Sequence, residues 1–463
     1  MDLAGRHVLI LGLGESGLAA ARWCDRRGAR VRVADSRAAP PCLDDLRRRV
    51  ARADFRRAAF TEDFDKSLLD GIDLLVLSPG LSAGLLPVIH ARGRGIRVAG
   101  EIELFAQGLR ALGSRPLVIA ITGTNGKTTT TALTGHLLAA TGKRVGVAGN
   151  ISPAALDALM DAEDAGRLPE VWVLELSSFQ LETTETLHPT VATVLNVSDD
   201  HLDRYIDLDD YASAKARIFA GGGVQVLNRE DGRCKAMALP GRRLLSFGLD
   251  TPGDTNDFGL RTRDGHAWIA QGERFLLPIA EIPLAGLHNA ANVMASLALC
   301  HALGFDAATL LPALRAFRGL PHRVEKVAEI DGVRWYDDSK GTNVGATVAA
   351  LQGLATGGAK VVVILGGDGK GQDFSPLKPA VARHARAAVL IGRDGPLIEK
   401  EILSSGAVLE TADDMADAVR RARRLARPGD AVLLSPACAS FDMFRNYEHR
   451  AQVFVDAVRT LPC

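Results

Sequence analysis

Residues 117–140, LVIAITGTNGKTTTTALTGHLLAA, constrain this chain more than any other stretch: an apolar run passes through a glycine- and threonine-rich turn into a helical pattern. An apolar run rich in β-branched residues, without polar alternation, is what a strand buried on both faces of a parallel sheet requires. Gly123 and Gly126, with Thr124 and Asn125 between them, let the backbone turn tightly and aim its N–H groups inward. Lys127 and the following helix N-terminus add positive charge there. Thr128 or Thr129 offers the hydroxyl that such loops place on Mg2+, and Leu133, Leu137 and Leu138 give the helix its apolar stripe. The common pattern G-x-x-x-x-G-K-[ST] has glycine where this chain has Ile121, so the loop is a variant. It reads as a polyphosphate site for ATP or a relative.

A second glycine turn lies near the N-terminus. Residues 8–11 form a short apolar strand, and Gly12-Leu13-Gly14-Glu15-Ser16-Gly17 opens a helix; a further strand, 31–34, ends in Asp35. Taken alone this is the dinucleotide fingerprint, with an acidic residue placed to hold a ribose hydroxyl. Its physics is only a pyrophosphate on a helix N-terminus, which any nucleotide diphosphate satisfies. Ser36 and Arg37, and Ser78-Pro79-Gly80 after the strand 74–77, complete one rim of loops. Two nucleotide-type sites in series fit a simple dehydrogenase poorly.

At 463 residues the chain has room for about three domains. Turn-rich stretches at 113–116 and 319–323 set the expected boundaries, giving 1–114, 115–319 and 320–463. All three read as α/β: the first Rossmann-like, the second a phosphate-loop domain with a parallel sheet plus a small β-rich part over 224–278, the third again Rossmann-like. In the second, strand 145–148 leads to Asn150, strand 171–174 delivers Glu175 as a candidate Mg2+ ligand, and a polar loop after 191–195 carries His201. A helix over 211–219 carries Lys215, which in isolation is an ordinary solvated lysine. Asn289 and Asn292 are three apart in a helix over 284–303; they share a face and suit an adenine ring, or cap the helix start. In the third, polar loops follow the strands: Asp337 to Asn343, Gly366 to Lys370, and Ser435 to Asp442.

Charge is balanced at 55 basic and 55 acidic residues, so no nucleic-acid partner is expected. The six cysteines are scattered without a C-x-x-C pair, which argues against a disulfide framework or zinc site and fits a reducing cytoplasm. The N-terminus runs straight into a strand and no apolar run reaches a membrane span, so a soluble protein is expected.

Together TGTNGKTT (122–129), ELSSFQLE (175–182), LNVSDDHLDRY (195–205), GLPHR (319–323), DDSKGTN (337–343), GGDGK (366–370) and SPACASFDMF (435–444) resemble the Mur ligase family of peptidoglycan synthesis, over the whole chain. Among its activities the resemblance implies ATP-dependent addition of D-glutamate to UDP-N-acetylmuramoyl-L-alanine through an acyl phosphate. The D-N-P-R stretch of diaminopimelate- or lysine-adding relatives is absent. The resemblance assigns the 123–129 loop, Asn289, Asn292, Arg323 and Asp338 to ATP, and Thr128, Glu175, His201 and a carbamylated Lys215 to two Mg2+ ions. Lys127, His201, Lys215, Arg323 and Lys370 become the catalytic set. Thr342, Lys370, Ser440, Phe441 and Tyr447 fall near the incoming glutamate, with Asn150 and His201 near the muramoyl substrate. Gly14, Glu15, Ser16, Asp35, Ser36, Arg37, Ser78 and Gly80 would hold UDP rather than NAD. A monomer in the cytoplasm is implied.

Two residues depart from the family pattern. Glu15 puts a carboxylate in a turn that should face a pyrophosphate, so its side chain should point away or be offset by Arg37. Ser152 stands where the glutamate-adding members commonly have glycine. A nicotinamide-dependent oxidoreductase would leave the phosphate loop without a role, and a non-catalytic nucleotide-gated binder has no use for carboxylate, histidine and lysine on one sheet edge.

Overall fold

The computed structural model describes residues 2–200, 204–284, 286–355 and 358–461. Three sheets follow one another along the chain. The first has five parallel strands in the spatial order Asp54–Arg57, Arg30–Asp35, His7–Leu11, Leu74–Leu77, Arg97–Ala99. Because the order reverses at His7–Leu11, the 12–17 turn and the 78–80 loop meet at the carboxyl edge, where ligands bind in such sheets. Gly12 has φ 87°, and a Cβ there would lie 2.9 Å from that of Ser78. Only glycine fits that crossing.

The second sheet has nine strands, ordered Val145–Gly149, Val171–Glu175, Leu117–Thr122, Val191–Val194, Val224–Asn228, Leu244–Phe247, Phe258–Arg263, His266–Gln271, Arg274–Pro278. The first seven run parallel and the last two pairings are antiparallel, so that only His266–Gln271 runs against the rest. The strands expected as a small β-rich part therefore extend the phosphate-loop sheet, joined to it where Val224–Asn228 runs parallel to Val191–Val194. The third sheet runs Glu325–Ile330, Val333–Asp337, Ala431–Leu434, Val361–Gly366, Ala385–Ile391, Val408–Thr411, with only the first strand antiparallel.

The cores divide differently from the sheets. One hydrophobic cluster spans the first two units, taking in Trp23, Phe105, Leu159 and Trp172. Phe105 meets Trp172 edge-on with ring centroids 5.0 Å apart. A Cβ on Gly108 would stand 2.6 Å from the Trp23 ring, so the close approach needs glycine. Among the described residues, the third unit's clusters hold nothing before Val324. No described helix is long and apolar enough to cross a membrane.

Candidate active site

The strand Leu117–Thr122 ends in a loop that the segment after Val191–Val194 holds in place. Asn196 receives the Asn125 N–H on Oδ1 at 2.8 Å and returns its Nδ2 to the Asn125 carbonyl at 3.1 Å. Thr124 exchanges bonds with Ser198 through its hydroxyl, at 3.0 and 3.2 Å. Gly126, at φ 81°, begins the helix Lys127–Ala139, and a Cβ there would lie 2.4 Å from Asn292 Oδ1. That contact explains the second glycine and seats Asn292 directly on the loop. Lys127 donates to the carbonyls of Gly123 at 2.8 Å and Thr124 at 2.9 Å. Burial draws its pKa below the ordinary lysine value, while Glu175 and Asp200 pull the other way.

Beside the loop, Glu175 is 1% exposed at the end of its strand. Its Oε1 accepts from Asn150 Nδ2 at 2.7 Å, and its Oε2 is buried without a partner among the described residues. A buried carboxylate oxygen left unpaired is costly, and a hard cation is the group that such an oxygen suits. Lys215, also 1% exposed, lies on the helix Leu208–Ala216. It donates to the Gly123 carbonyl at 3.0 Å and sits 4.1 Å over the Tyr211 ring. Burial first, and Lys127 second, hold its pKa well below the ordinary value. It is thus no solvated lysine: the fold favours a neutral amine close to the phosphate loop. Tyr211 to Lys215 match expectation in place, whereas His201 lies outside the described residues.

The third unit closes the other side. Arg323 Nη2 donates to Thr128 Oγ1 at 2.6 Å, and Asn343 Nδ2 donates to Asn125 Oδ1 at 3.0 Å. Asn343 also caps the helix Val344–Leu354, its Oδ1 accepting from Ala346 N at 2.8 Å. Asp338 is buried, with Oδ2 accepting from the Ser435 hydroxyl at 2.7 Å, and burial pushes its pKa up to about 7 against the pull of Ser435 and Arg323. The result is a cavity of about 450 Å3. It is lined by residues 124–129, Asn150, Glu175, Asn289, Asn292, Arg323, Asp338 and Thr342, and walled on one side by Phe247, Leu249, Leu284 and Leu320. Asn289 and Asn292 both reach it. The helix is Leu287–Ala302, and its N-cap position is held by Gly286 rather than by either asparagine. Asn292 Nδ2 instead donates to Asn289 Oδ1 at 3.1 Å.

Lys340, His288, Asn343 and Asp200 also line the cavity and were not singled out from the sequence. Lys340 stands 3.6 Å over the Tyr447 ring, its pKa drawn down to about 8 by burial and then by Arg323. It lies inside the quoted DDSKGTN stretch, and its charge next to two acids was the available signal. Burial lowers His288 to about 4, which keeps its ring neutral.

Lys370, Ser440 and Phe441 do not line this cavity. Lys370 is exposed with φ 52°, its N–H donating to Asp368 Oδ1 at 3.1 Å, and Phe441 is 72% exposed. Their loops are nonetheless bound to those that do reach it. Asp368 and Ala439 exchange backbone bonds at 2.8 and 2.9 Å. Gln372 joins Gly369, Ala437 and Val344. Buried Arg450 ties Ser339 to Cys438.

At the N-terminal turn, Asp35 accepts from Leu13 N at 2.8 Å and from the Arg37 guanidinium at 2.9 and 2.7 Å. Burial alone would raise its pKa, but Arg37 and the backbone donors bring it below the ordinary value. Both oxygens are engaged, and Arg37 is too, so Arg37 does not offset Glu15. Glu15 points instead to Ser152, whose hydroxyl lies 2.9 Å from each carboxylate oxygen. The two departures from the family pattern thus meet each other.

Family models match over three stretches: the MurD-like N-terminal domain of Mur ligases at residues 6–100, the Mur ligase middle domain at 121–300, and the Mur ligase glutamate ligase domain at 322–438. The chain is 60% identical to the UDP-N-acetylmuramoylalanine–D-glutamate ligase of Aromatoleum aromaticum, across 99% of this chain and 98% of that one. It is 55% identical to the enzyme of the same name from Thiobacillus denitrificans, across 100% and 98%. Among solved structures it is similar in fold to the UDP-N-acetylmuramate-alanine ligase of Thermotoga maritima, with a TM-score of 0.62 at 20% identity over 98% of this chain and 99% of that one.

Proposed function

Since the chain belongs to the Mur ligase family, we infer that it is an ATP-dependent ligase joining D-glutamate to UDP-N-acetylmuramoyl-L-alanine, with release of ADP and phosphate, in peptidoglycan precursor synthesis. The observation that carries the chemistry is one cavity in which a phosphate loop, the orphaned carboxylate oxygen of Glu175 and the third unit's Arg323 and Lys340 converge. A carboxylate is a poor electrophile because resonance spreads its charge. Transfer of the γ-phosphoryl to the alanyl carboxylate gives an acyl phosphate, which the neutral amine of glutamate attacks. The tetrahedral adduct then expels phosphate and leaves the amide. Such transfer needs mainly positioning and neutralisation of charge.

In this reading Lys127, the loop N–H groups and Arg323 orient the phosphates. Asn289 and Asn292 present amides to the base, against the wall of Phe247 and Leu249. Glu175, Thr128, His201 and Lys215 would hold Mg2+, two ions in all, whose chemistry is to neutralise the transferred group. Lys215 acts as a carbamate: its neutral amine adds CO2 and loses a proton, turning a cation into a carboxylate. The low pKa and burial of Lys215 favour that amine form. Asn150 and His201 approach the muramoyl part. Thr342, Lys370, Ser440, Phe441 and Tyr447 receive glutamate. The glycine turn with Gly14, Ser16, Ser36, Arg37, Ser78 and Gly80 takes UDP, since the engaged oxygens of Asp35 leave it ill-suited to the adenosine ribose of a nicotinamide dinucleotide. The units divide at 1–114, 115–319 and 320–463, and the protein works as a cytoplasmic monomer.

A coupled phosphate-release assay tests the reaction. Phosphate should appear only when ATP, UDP-N-acetylmuramoyl-L-alanine and D-glutamate are all present, and release independent of the amino acid would contradict ligation. For the carbamate, Lys215→Ala should be nearly inactive yet folded, with partial rescue by small carboxylic acids; wild-type turnover in that variant would remove Lys215 from the site.

A further inference from the structure

We propose that Ser152 is a positioning residue for the UDP-linked substrate: it holds the Glu15 carboxylate off the glycine turn so that a diphosphate can settle there. The proposal rests on the ligase reading above. Glu15 is the first residue of the helix Glu15–Arg26, and the N-cap residue, Gly14, offers no side-chain hydrogen bond. The free N–H groups of that helix end attract any nearby anion. Glu15, an acidic residue in the first turn of the helix, is such an anion. Turned inward, its carboxylate would both occupy the helix end and repel the substrate diphosphate.

The structure shows it turned outward, with Ser152 Oγ 2.9 Å from each of its oxygens. Among the described residues no cation pairs with Glu15. Arg37, on the same rim, is bound to Asp35 through two guanidinium contacts. Glu15 adds to the forces that raise the pKa values of buried Glu101 and of Asp157, and Asp157 already holds the guanidinium of Arg22. The contact that the exposed carboxylate does make is with a neutral hydroxyl, also exposed. Ser152 belongs to the second unit, on the loop between Asn150 and the helix Ala155–Asp164, so the contact also joins the UDP turn to the strand end where Asn150 holds Glu175.

The measurement is calorimetric binding of UDP-N-acetylmuramoyl-L-alanine without ATP, alongside steady-state kinetics, for wild type, Ser152→Ala, Ser152→Thr, Glu15→Gln and the Glu15→Gln/Ser152→Ala double variant. Loss of one hydrogen bond of this kind corresponds to about three- to tenfold. Ser152→Ala should weaken binding and raise KM for this substrate by about that factor, with kcat within about twofold of wild type. Ser152→Thr should restore both. Once Glu15 is neutral, adding Ser152→Ala should change binding less than about twofold. Equal binding by wild type and Ser152→Ala, or the same loss in the Glu15→Gln background, overturns the proposal while leaving the ligase reading intact. A wild-type protein that does not bind the UDP substrate overturns both.

Discussion

The two joints of the molecule are built from different forces. The first and second units share one hydrophobic cluster, with Trp23, Phe105, Leu159 and Trp172 interleaved across the boundary. Buried glutamate carboxyl groups fasten the same joint. Glu101 accepts from Leu156 N at 2.6 Å, and Glu103 accepts from Glu185 N and Thr186 N at 2.9 and 2.8 Å. The second and third units meet through polar contacts at the cavity, Arg323 to Thr128 and Asn343 to Asn125, and through Gly286 against Gly353, where an added Cβ on Gly353 would lie 2.8 Å from the Gly286 Cα. Apolar burial of the first kind fixes geometry at the cost of mobility, whereas a few hydrogen bonds can be exchanged with water. The first joint is therefore a rigid frame for the 12–17 turn and the 123–129 loop, and the second rests on contacts that water can replace.

The strongest way to break this comparison is to empty each core in turn. Trp23→Ala should cost about 3–5 kcal/mol, and calorimetry should show the first two units losing stability together. Trp335→Ala, in the third unit's own cluster, should lower a separate transition and leave theirs in place. If Trp23→Ala lowered only the first unit's transition, the shared core would not be a cooperative whole.

Next in size is Arg323→Ala. Losing one donor to a transferring phosphoryl group should reduce kcat by about a hundredfold, while stability changes by no more than about 0.5 kcal/mol. A large drop in melting temperature with little loss of rate would make the second joint structural after all.

The smallest effect sharpens the first joint. In the fold, burial pushes Glu101 up to about 8 from an ordinary 4.5, so the folded chain keeps a proton that the unfolded chain gives up. The stability this contributes is complete below about pH 4.5, declines as pH rises towards 8, and levels off above it. Between pH 6 and 9 denaturant titration should show a loss on the order of 2 kcal/mol, which Glu101→Gln should abolish. A Glu101→Gln variant with the wild-type pH profile would place the titrating group elsewhere.

What could be read from the sequence follows from distance along the chain. The phosphate loop is legible because its glycines, lysine and hydroxyls lie within eight residues and the strand and helix around them carry their own periodicity, although Asn196 and Ser198, which hold the loop, lie about 70 positions on. The exchange between Glu15 and Ser152 spans 137 positions, and that between Asn125 and Asn343 spans 218. No spacing rule reaches that far. Lys215 looked solvated because a single lysine in a short helix says nothing of burial, and only the motif resemblance singled it out. The β-rich stretch was legible as strands, but not its attachment to the main sheet, which turns on the pairing of Val224–Asn228 with Val191–Val194. Lys370, Ser440 and Phe441 were recognisable by motif, while their separation from the cavity depends on how the third unit is docked.

The central claim, that ATP activates a substrate carboxylate as an acyl phosphate, is most directly tested by following one oxygen atom. With UDP-N-acetylmuramoyl-L-alanine carrying 18O in both alanyl carboxylate positions, the amide keeps one labelled oxygen and the other leaves on phosphorus. Mass spectrometry of the released phosphate should show one 18O for each amide bond formed. Phosphate free of label, formed at the same rate as product, would show that ATP cleavage does not pass through the carboxylate and would contradict the mechanism.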